Sequence, residues 1–453
     1  MDLKGKRFLV AGLGKSGVAA AKLLKAKQIS FRLYDGNADF DREAFYEKNE
    51  ELKDAKIILG ELTQEEIEET DILALSPGIP TDLPMVEQMR AAGVLVWGEI
   101  ELASAFAKGS VLAVTGTNGK TTTTTLLGEI LKNYYKDVKV VGNIGIPYTS
   151  VAADTTKETV TAAEISSFQL ETVHTFAPCV TAILNITPDH LNRHHTMANY
   201  IAAKESITKN QGQDDLCVLN YEDEELRRFG AGLKTKVAWF SSARRLEDGF
   251  YLEDGSIYMA KAGKRTELVK TEELNLLGRH NYENVMAASA MALGFGVPVE
   301  KVREVLLRFT AVEHRIEYVA KKRGVRFYND SKATNPDAAI QGIGAMDRPT
   351  YLIGGGCDKG SEYGTWIDAF GGKVKELVLI GETREKIAET AKEHGFTSVI
   401  MADSMEEAVR ICYQKADSGD AVLLSPACAS FGMFLNYEER GRIFKEIVRS
   451  LEE

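Results

Sequence analysis

Twice along this chain a short apolar run passes through glycines directly into a helical pattern. The first is Arg7-Phe8-Leu9-Val10-Ala11, followed by Gly12-Leu13-Gly14-Lys15-Ser16-Gly17 and a helix to about Lys27. The second is Val111-Leu112-Ala113-Val114-Thr115, followed by Gly116-Thr117-Asn118-Gly119-Lys120-Thr121-Thr122. Each arrangement turns free backbone N–H groups and the positive end of a helix dipole toward one point, which suits an anion. Strands keep alternating with helical patterns beyond these two places. One strand ends at Asp35, and Asp71–Leu75 precedes the turn Ser76-Pro77-Gly78. Val180–Leu184 follows, then a polar, hairpin-like insert at Asp248–Lys264. Further strands are expected at Val325–Asn329, Thr350–Ile353, Leu377–Ile380, Val399–Met401 and Ala421–Leu424. That alternation implies parallel α/β sheets. At 453 residues the chain exceeds one ordinary domain. The expected fold is α/β with three domains. Residues 1–98 form a Rossmann-like domain, 99–312 a central P-loop ATPase-like domain, and 313–453 a C-terminal Rossmann-like domain.

Composition narrows the function. A formal net charge of −11 leaves no global basic field to collect nucleic-acid phosphates. The longest uncharged stretch, Val285–Val299, is too short to span a bilayer and is interrupted by Gly294 and Gly296. The N-terminus runs straight into a strand, without a signal peptide's apolar core. The five cysteines, Cys179, Cys217, Cys357, Cys412 and Cys428, form no CxxC pair and are expected as thiols. A cytoplasmic monomer without nucleic-acid or membrane partners is expected.

The turn Gly12-x-Gly14-x-x-Gly17, with Asp35 at the end of the next strand, has the form of a dinucleotide fingerprint. It does not separate NAD from any other diphosphate-bearing nucleotide, a UDP-sugar included. The loop Gly116–Thr122 directs amides at phosphates, supplies Lys120 for the β- and γ-oxygens and offers the Thr121 hydroxyl to magnesium. Val114 stands where the full motif has its first glycine, so this is a shorter variant. An ATP site accounts for it better than a helix-capping turn. Glu164 ends an apolar strand pattern, where a carboxylate can hold magnesium beside a phosphate loop. His190 and His194 have zinc-protease spacing, but Leu191 replaces the general base, so that reading fails. Lys204 lies in a helical segment, Met197–Lys209, where composition alone predicts a solvated surface charge.

These residues together resemble those of the Mur ligases, over essentially the whole chain in motif order and spacing. The resemblance rests on Gly116-Thr117-Asn118-Gly119-Lys120-Thr121, Glu164-Ile165-Ser166-Ser167-Phe168-Gln169-Leu170 and Asp189-His190-Leu191-Asn192-Arg193-His194. It rests also on Asn329-Asp330-Ser331-Lys332-Ala333-Thr334-Asn335 and Ser425-Pro426-Ala427-Cys428-Ala429-Ser430-Phe431. The last two are similar to the branch that adds D-glutamate.

The resemblance implies roles. Gly116, Thr117, Asn118, Gly119, Lys120, Thr121 and Thr122 hold the ATP phosphates, and Asn281, Arg315 and Asp330 contact the nucleotide. Thr121, Glu164, His190 and Lys204 serve two magnesium ions, Lys204 as a CO₂-derived carbamate. Lys120, His190 and Lys204 are the catalytic set. Gly12, Gly14, Ser16, Gly17, Asp35, Ser76 and Gly78 hold the UDP part of UDP-N-acetylmuramoyl-L-alanine, with Asn143, Ser166 and Gln169 nearer the metal. Thr334, Lys359, Ser430 and Tyr437 take D-glutamate. Two departures stand out: Gly36 and Asn37 follow Asp35 where uracil-contacting polar residues are usual, and Asn192 replaces a frequent aspartate.

The implied reaction is ATP-dependent ligation through an acyl phosphate, with closure of the three domains bringing the reactants together. A nicotinamide oxidoreductase would leave Thr115–Thr122 unexplained. A non-catalytic nucleotide switch has no need of Glu164, His190 and Lys332. A folylpolyglutamate-synthase-like ligase normally lacks a preceding diphosphate-binding domain.

Overall fold

Strands that are apolar on both faces must be covered on both faces, and this property organises the first sheet. Its strands are Arg7–Ala11 (β1), Ser30–Asp35 (β2), Ile57–Leu59 (β3), Ile72–Leu75 (β4) and Leu95–Gly98 (β5). They pair in parallel in the order β3-β2-β1-β4-β5. The computed structural model describes residues 3–310, 313–358 and 360–452. The chain divides into two units, Met1–Leu268 with Glu283–Val305, and Val269–Tyr282 with Leu306–Glu453.

In the first sheet the connections run to one side of β1 and then return to the other. The C-terminal ends of β1 and β4 therefore border a crevice, the usual ligand position in such sheets. The glycine turn after β1 and the Ser76 turn after β4 both lie there. The helix Lys15–Ala26 begins at the turn. A Cβ on Gly17 would sit 1.8 Å from the Gly12 carbonyl oxygen, so no side chain fits where the helix crosses the strand end.

The central sheet follows the same logic on a larger scale. Its strands are Ser110–Thr115 (β6), Val138–Gly142 (β7), Val160–Glu164 (β8), Val180–Ile183 (β9), Leu216–Asn220 (β10), Lys236–Ser241 (β11), Gly249–Glu253 (β12), Ser256–Lys261 (β13) and Lys264–Lys270 (β14). The order is β14-β13-β12-β11-β10-β9-β6-β8-β7. β12 and β13 form an antiparallel hairpin, as the polar insert suggests. β6 lies between β8 and β9, with Val114 in register with Glu164 and Thr115 with Ile183. The phosphate loop and Glu164 thus leave adjacent strands at one edge of the sheet.

The first two sheets share one apolar core. Phe8, Leu24, Trp97, Ile100, Ala113, Val141, Tyr148 and Ile183 belong to a single cluster. The helix Glu99–Ser104 carries the chain from one sheet to the other, and it buries two carboxylates in doing so. Glu101 accepts from the amides of His174, Thr175 and Phe176 at 2.9, 2.8 and 3.1 Å, and from the Thr175 hydroxyl. Glu99 accepts from the amide and hydroxyl of Thr149 at 2.6 and 2.8 Å.

The second unit is built on Glu317–Lys322 (β15), Val325–Asn329 (β16), Thr350–Gly354 (β17), Val374–Leu379 (β18), Val399–Met401 (β19) and Ala421–Leu424 (β20). The order is β15-β16-β20-β17-β18-β19, parallel except for β15. Separate apolar clusters cover its two faces, one around Tyr328, Leu352, Trp366 and Leu377 and the other around Phe327, Ile353, Val378 and Phe444. The charged edge strand β15 is absent from the sequence reading, and β18 begins three residues earlier than the apolar run indicates.

Replacing Glu101 by alanine leaves three amides, of which that of Phe176 is buried, without their acceptor. The Glu101→Ala protein is expected to lose about 3 kcal/mol of stability. The check is a lower urea midpoint at unchanged slope, with Glu101→Gln intermediate.

Candidate active site

Gly119 caps the helix Lys120–Lys132 with φ +85°, a left-handed conformation, and a Cβ there would lie 2.2 Å from Asn284 Oδ1. Glycine is required on both counts. The loop is moored to the chain leaving β9. The Asn118 amide donates to Asn185 Oδ1 at 2.8 Å, Asn185 Nδ2 donates to the Asn118 carbonyl at 3.2 Å, and the Thr117 amide donates to the Asn185 carbonyl at 2.9 Å. The Thr187 amide donates to Thr117 Oγ1 at 3.0 Å. Lys120 Nζ donates to the carbonyls of Gly116 and Thr117, both at 2.8 Å. Thr121 and Thr122 occupy the first helical turn.

Lys204 is the one place where the composition reading is overturned. Its helix, Met197–Glu205, packs so that the side chain is 1% exposed. Lys204 Nζ donates to the Gly116 carbonyl at 2.8 Å and stands 4.5 Å from the centre of the Tyr200 ring. Burial, aided by the positive charge of Lys120, brings its pKa down to about 7. Two lysine nitrogens therefore converge on one carbonyl, and the more deeply buried one is readily neutral.

Glu164 is buried at the end of β8. Oε1 accepts from Asn143 Nδ2 at 2.8 Å, while Oε2 is buried without a hydrogen-bond partner. An orphaned carboxylate oxygen at a strand end suits a cation. His190 has φ +52° and starts the one-turn helix Leu191–His194. Its ring is half-exposed, 3.4 Å from Asp189 Oδ2 and 4.9 Å, centre to centre, from Phe168. His194 is buried instead, with Nε2 3.0 Å from Ser167 Oγ, and burial lowers its pKa. Among the described residues no three His, Cys, Asp or Glu side chains cluster as a metal cage. Ser166 and Gln169 cap each other across the helix Ser167–Leu170.

At the first sheet the structure gathers Gly12, Gly14, Ser16, Gly17, Ser76 and Gly78 around one crevice. Ser76 Oγ donates to the Gly12 carbonyl at 3.1 Å, and Gly14 and Gly78 have open space where a Cβ would project. Asp35 Oδ1 accepts from the Asn37 amide at 3.0 Å, so one oxygen is occupied by its own turn.

The remaining candidates lie in the second unit, apart from Lys359, which falls outside the described residues. Asn281 is buried and donates to the Leu277 carbonyl at 2.7 Å. Arg315 is exposed, between His314 and Ile316, whose φ values are +66° and +47°. Asp330 is buried. Ser425 Oγ donates to its Oδ2 at 2.7 Å and the Ile316 amide to its Oδ1 at 3.2 Å, so both oxygens hold the protein. Burial pushes its pKa up to about 7. Thr334, Ser430 and Tyr437 come from the two signature loops and the start of the helix Tyr437–Ser450, and Ser430 is buried.

Asn185 and Arg440 are absent from the sequence reading. Arg440 is wholly buried and ties both signature loops together. Its Nε donates to Ser331 Oγ at 3.0 Å, Nη2 to the Ser331 carbonyl at 2.8 Å and Nη1 to the Cys428 carbonyl at 3.1 Å. In Glu438-Glu439-Arg440 it reads as one charge on a solvated helix. Only its spacing from the Ser425–Phe431 signature could have marked it.

Three family models match consecutive segments. They are a Mur ligase MurD-like N-terminal domain over residues 6–98, a Mur ligase middle domain over 114–292, and a Mur ligase glutamate ligase domain over 314–428. A UDP-N-acetylmuramoylalanine–D-glutamate ligase from Lachnoclostridium phytofermentans is 52% identical over 453 residues, covering 100% of both chains. One of the same name from Lachnospira eligens is 53% identical over 451 residues, again covering 100% of each. Among solved structures, a UDP-N-acetylmuramate–alanine ligase from Thermotoga maritima shares the fold at 19% identity with a TM-score of 0.59, covering 98% of this chain and 99% of that one. The chain belongs to the Mur ligase family. It has the family's three domains and α/β sheets.

The buried Asp330 carboxyl yields a signed pH dependence. Its folded pKa, about 7, lies above the ordinary 3.8, so the native state binds more protons between those values. Its contribution is fully present below about pH 4 and is lost as pH rises through 7. Asp330→Asn removes this titration. The stability of the variant relative to the parent is therefore expected to rise between pH 4 and 7, measured by urea denaturation at each pH.

Proposed function

We propose that this protein is an ATP-dependent ligase that adds D-glutamate to UDP-N-acetylmuramoyl-L-alanine, giving ADP and phosphate, in peptidoglycan biosynthesis. The observation that carries the ligase chemistry is the meeting, at one edge of the central sheet, of the phosphate loop, the orphaned Glu164 oxygen and the buried amine of Lys204. The acceptor and the amino acid are supported by the full-length relatives whose names state them. The protein works in the cytoplasm as a monomer, without membrane or nucleic-acid partners.

Residues 1–98 bind the UDP part of the acceptor through Gly12, Gly14, Ser16, Gly17, Asp35, Ser76 and Gly78. Residues 99–312 bind ATP, with Asn143, Ser166 and Gln169 toward the acceptor's reacting end. Residues 313–453 bind D-glutamate through Thr334, Lys359, Ser430 and Tyr437. Asn281 and Arg315 serve the nucleotide, and Asp330 serves it by holding the Ile316 backbone beside Arg315. Thr121, Glu164, His190 and a carbamate on Lys204 serve two magnesium ions.

When bound, magnesium and ATP supply the γ-phosphoryl group and the charge that neutralises it. The rest is charge management by the chain. An acceptor carboxylate must approach a phosphate, and Lys120 and Arg315 offset that repulsion. The carboxylate oxygen bonds to the γ-phosphorus and ADP leaves. The D-glutamate amine then bonds to the acyl carbon, phosphate leaves and the amine proton goes to solvent. Lys204, neutral near pH 7, gives up an N–H proton to form an N–C bond with CO₂. The amine beside Lys120 thereby becomes an anion, so an attraction replaces the repulsion that its protonated form would meet there, and oxygen donors are added to the site.

Two measurements test this reading. ADP is expected to form in step with new amide when ATP, magnesium and the acceptor are supplied with D-glutamate but not L-glutamate. Lys120→Ala should lower that rate by about 10²-fold or more. Near-normal turnover in the variant, or ADP without amide, refutes the assignment. Separately, ¹³C-bicarbonate should produce a carbamate carbonyl resonance that Lys204→Met abolishes.

A further inference from the structure

The mechanism uses neither Glu171 nor Arg193, yet these two residues of the central domain form a largely buried ion pair whose members also bond to the loops of the first sheet. Arg193 Nη2 lies 2.7 Å from Glu171 Oε2, and Nε donates to Oε1 at 3.3 Å, with side chains only 10% and 15% exposed. The same guanidinium donates from Nη2 to the Ile79 carbonyl at 3.0 Å and lies 4.9 Å from the centre of the Phe168 ring. Glu171 also accepts from Thr81 Oγ1 at 3.1 Å. Ile79 and Thr81 belong to the chain leaving β4, just beyond the Ser76-Pro77-Gly78 turn. Glu171 and Arg193 belong to the segments that carry Phe168 and His190. The pair thus latches the diphosphate turn of one sheet to the metal-side loops of the next.

A neighbouring tie shows which contact matters. His195 Nε2 reaches Asp82 Oδ2 at 2.9 Å, but its side chains are 63% and 55% exposed, so water and salt screen it. The Arg193 fork is shielded, bidentate and backed by an aromatic face, and those features fix geometry. On the other side of the crevice, Lys15 Nζ donates to the Gly145 carbonyl, beside Asn143. Ser76, Pro77, Phe168, Gln169 and Arg193 line the narrow seam between the two latched elements.

We infer that Glu171 and Arg193 are positioning residues that set the span between the diphosphate turn and the Glu164 end of the central sheet, so that the chain gauges the length of its nucleotide-linked acceptor. The inference rests on the function proposed above. A ligand that touches both ends gains from a span fixed in advance, whereas one that touches only the nucleotide end gains nothing.

Calorimetric titration with UDP-N-acetylmuramoyl-L-alanine and with UDP separates these cases. Arg193→Lys keeps the charge and loses the fork. It is expected to weaken the full acceptor roughly ten-fold while leaving UDP within about two-fold. Thr81→Val, which removes one hydrogen bond and preserves the ion pair, should shift the same ratio roughly three-fold. An unchanged ratio of acceptor to UDP affinity in both variants overturns the latch alone. Parallel weakening of both ligands also overturns it, because that pattern reports general loosening. A parent protein that holds the full acceptor no better than UDP overturns both the gauge and the proposed function.

Discussion

Two lysine side chains, Lys120 and Lys204, meet at the carbonyl of Gly116, and neither could be there in an ordinary protein interior without a reason. Like charges in a dry place repel, and each loses hydration. The fold meets that cost with the dipole of one backbone carbonyl, the face of Tyr200 and the amine's own ability to discard a proton. Everything that fixes Gly116 therefore matters: the strand that delivers it, the mooring of Thr117 and Asn118 to Asn185, and the register that puts Glu164 one strand away. The site is a managed conflict of charge, and a ligand bringing negative charge would resolve it.

The placement of functional groups follows from connection order. In both sheets of the first unit the chain visits one side of an early strand and then the other. A crevice opens where β1 adjoins β4, and another where β6 adjoins β8 and β9. Glycine turns stand at both. The same architecture thus supplies two anion-facing helix starts in one unit, and the helix Glu99–Ser104, with its buried Glu101, joins them.

Much of this was legible in the chain because strand, glycine turn and helix are local patterns. The turn at Gly12–Gly17, the phosphate loop, and Glu164 at a strand end are all written in neighbouring residues. What escaped is tertiary. Lys204 reads as solvated because nothing adjacent in its helix announces that Tyr200 and the phosphate loop will close over it. Arg440 reads as a surface charge for the same reason, although it holds Ser331 and Cys428 from the first turn of its helix. The strand Glu317–Lys322 is not legible because an edge strand with one wet face carries lysines where a buried strand carries valines. The signature Asn329–Asn335 singles out Asp330 as a candidate, but neither its burial nor its grip on Ile316 is written there.

The continuous core that runs from Phe8 and Trp97 into Val141, Tyr148 and Ile183 bears on modularity. A fragment cut after Gly98 would expose the apolar face that Tyr148 and Ile100 now cover. The first-sheet portion is thus not a transplantable cassette. Any chimera exchanging it with a sister enzyme must carry the matching surface of its neighbour too.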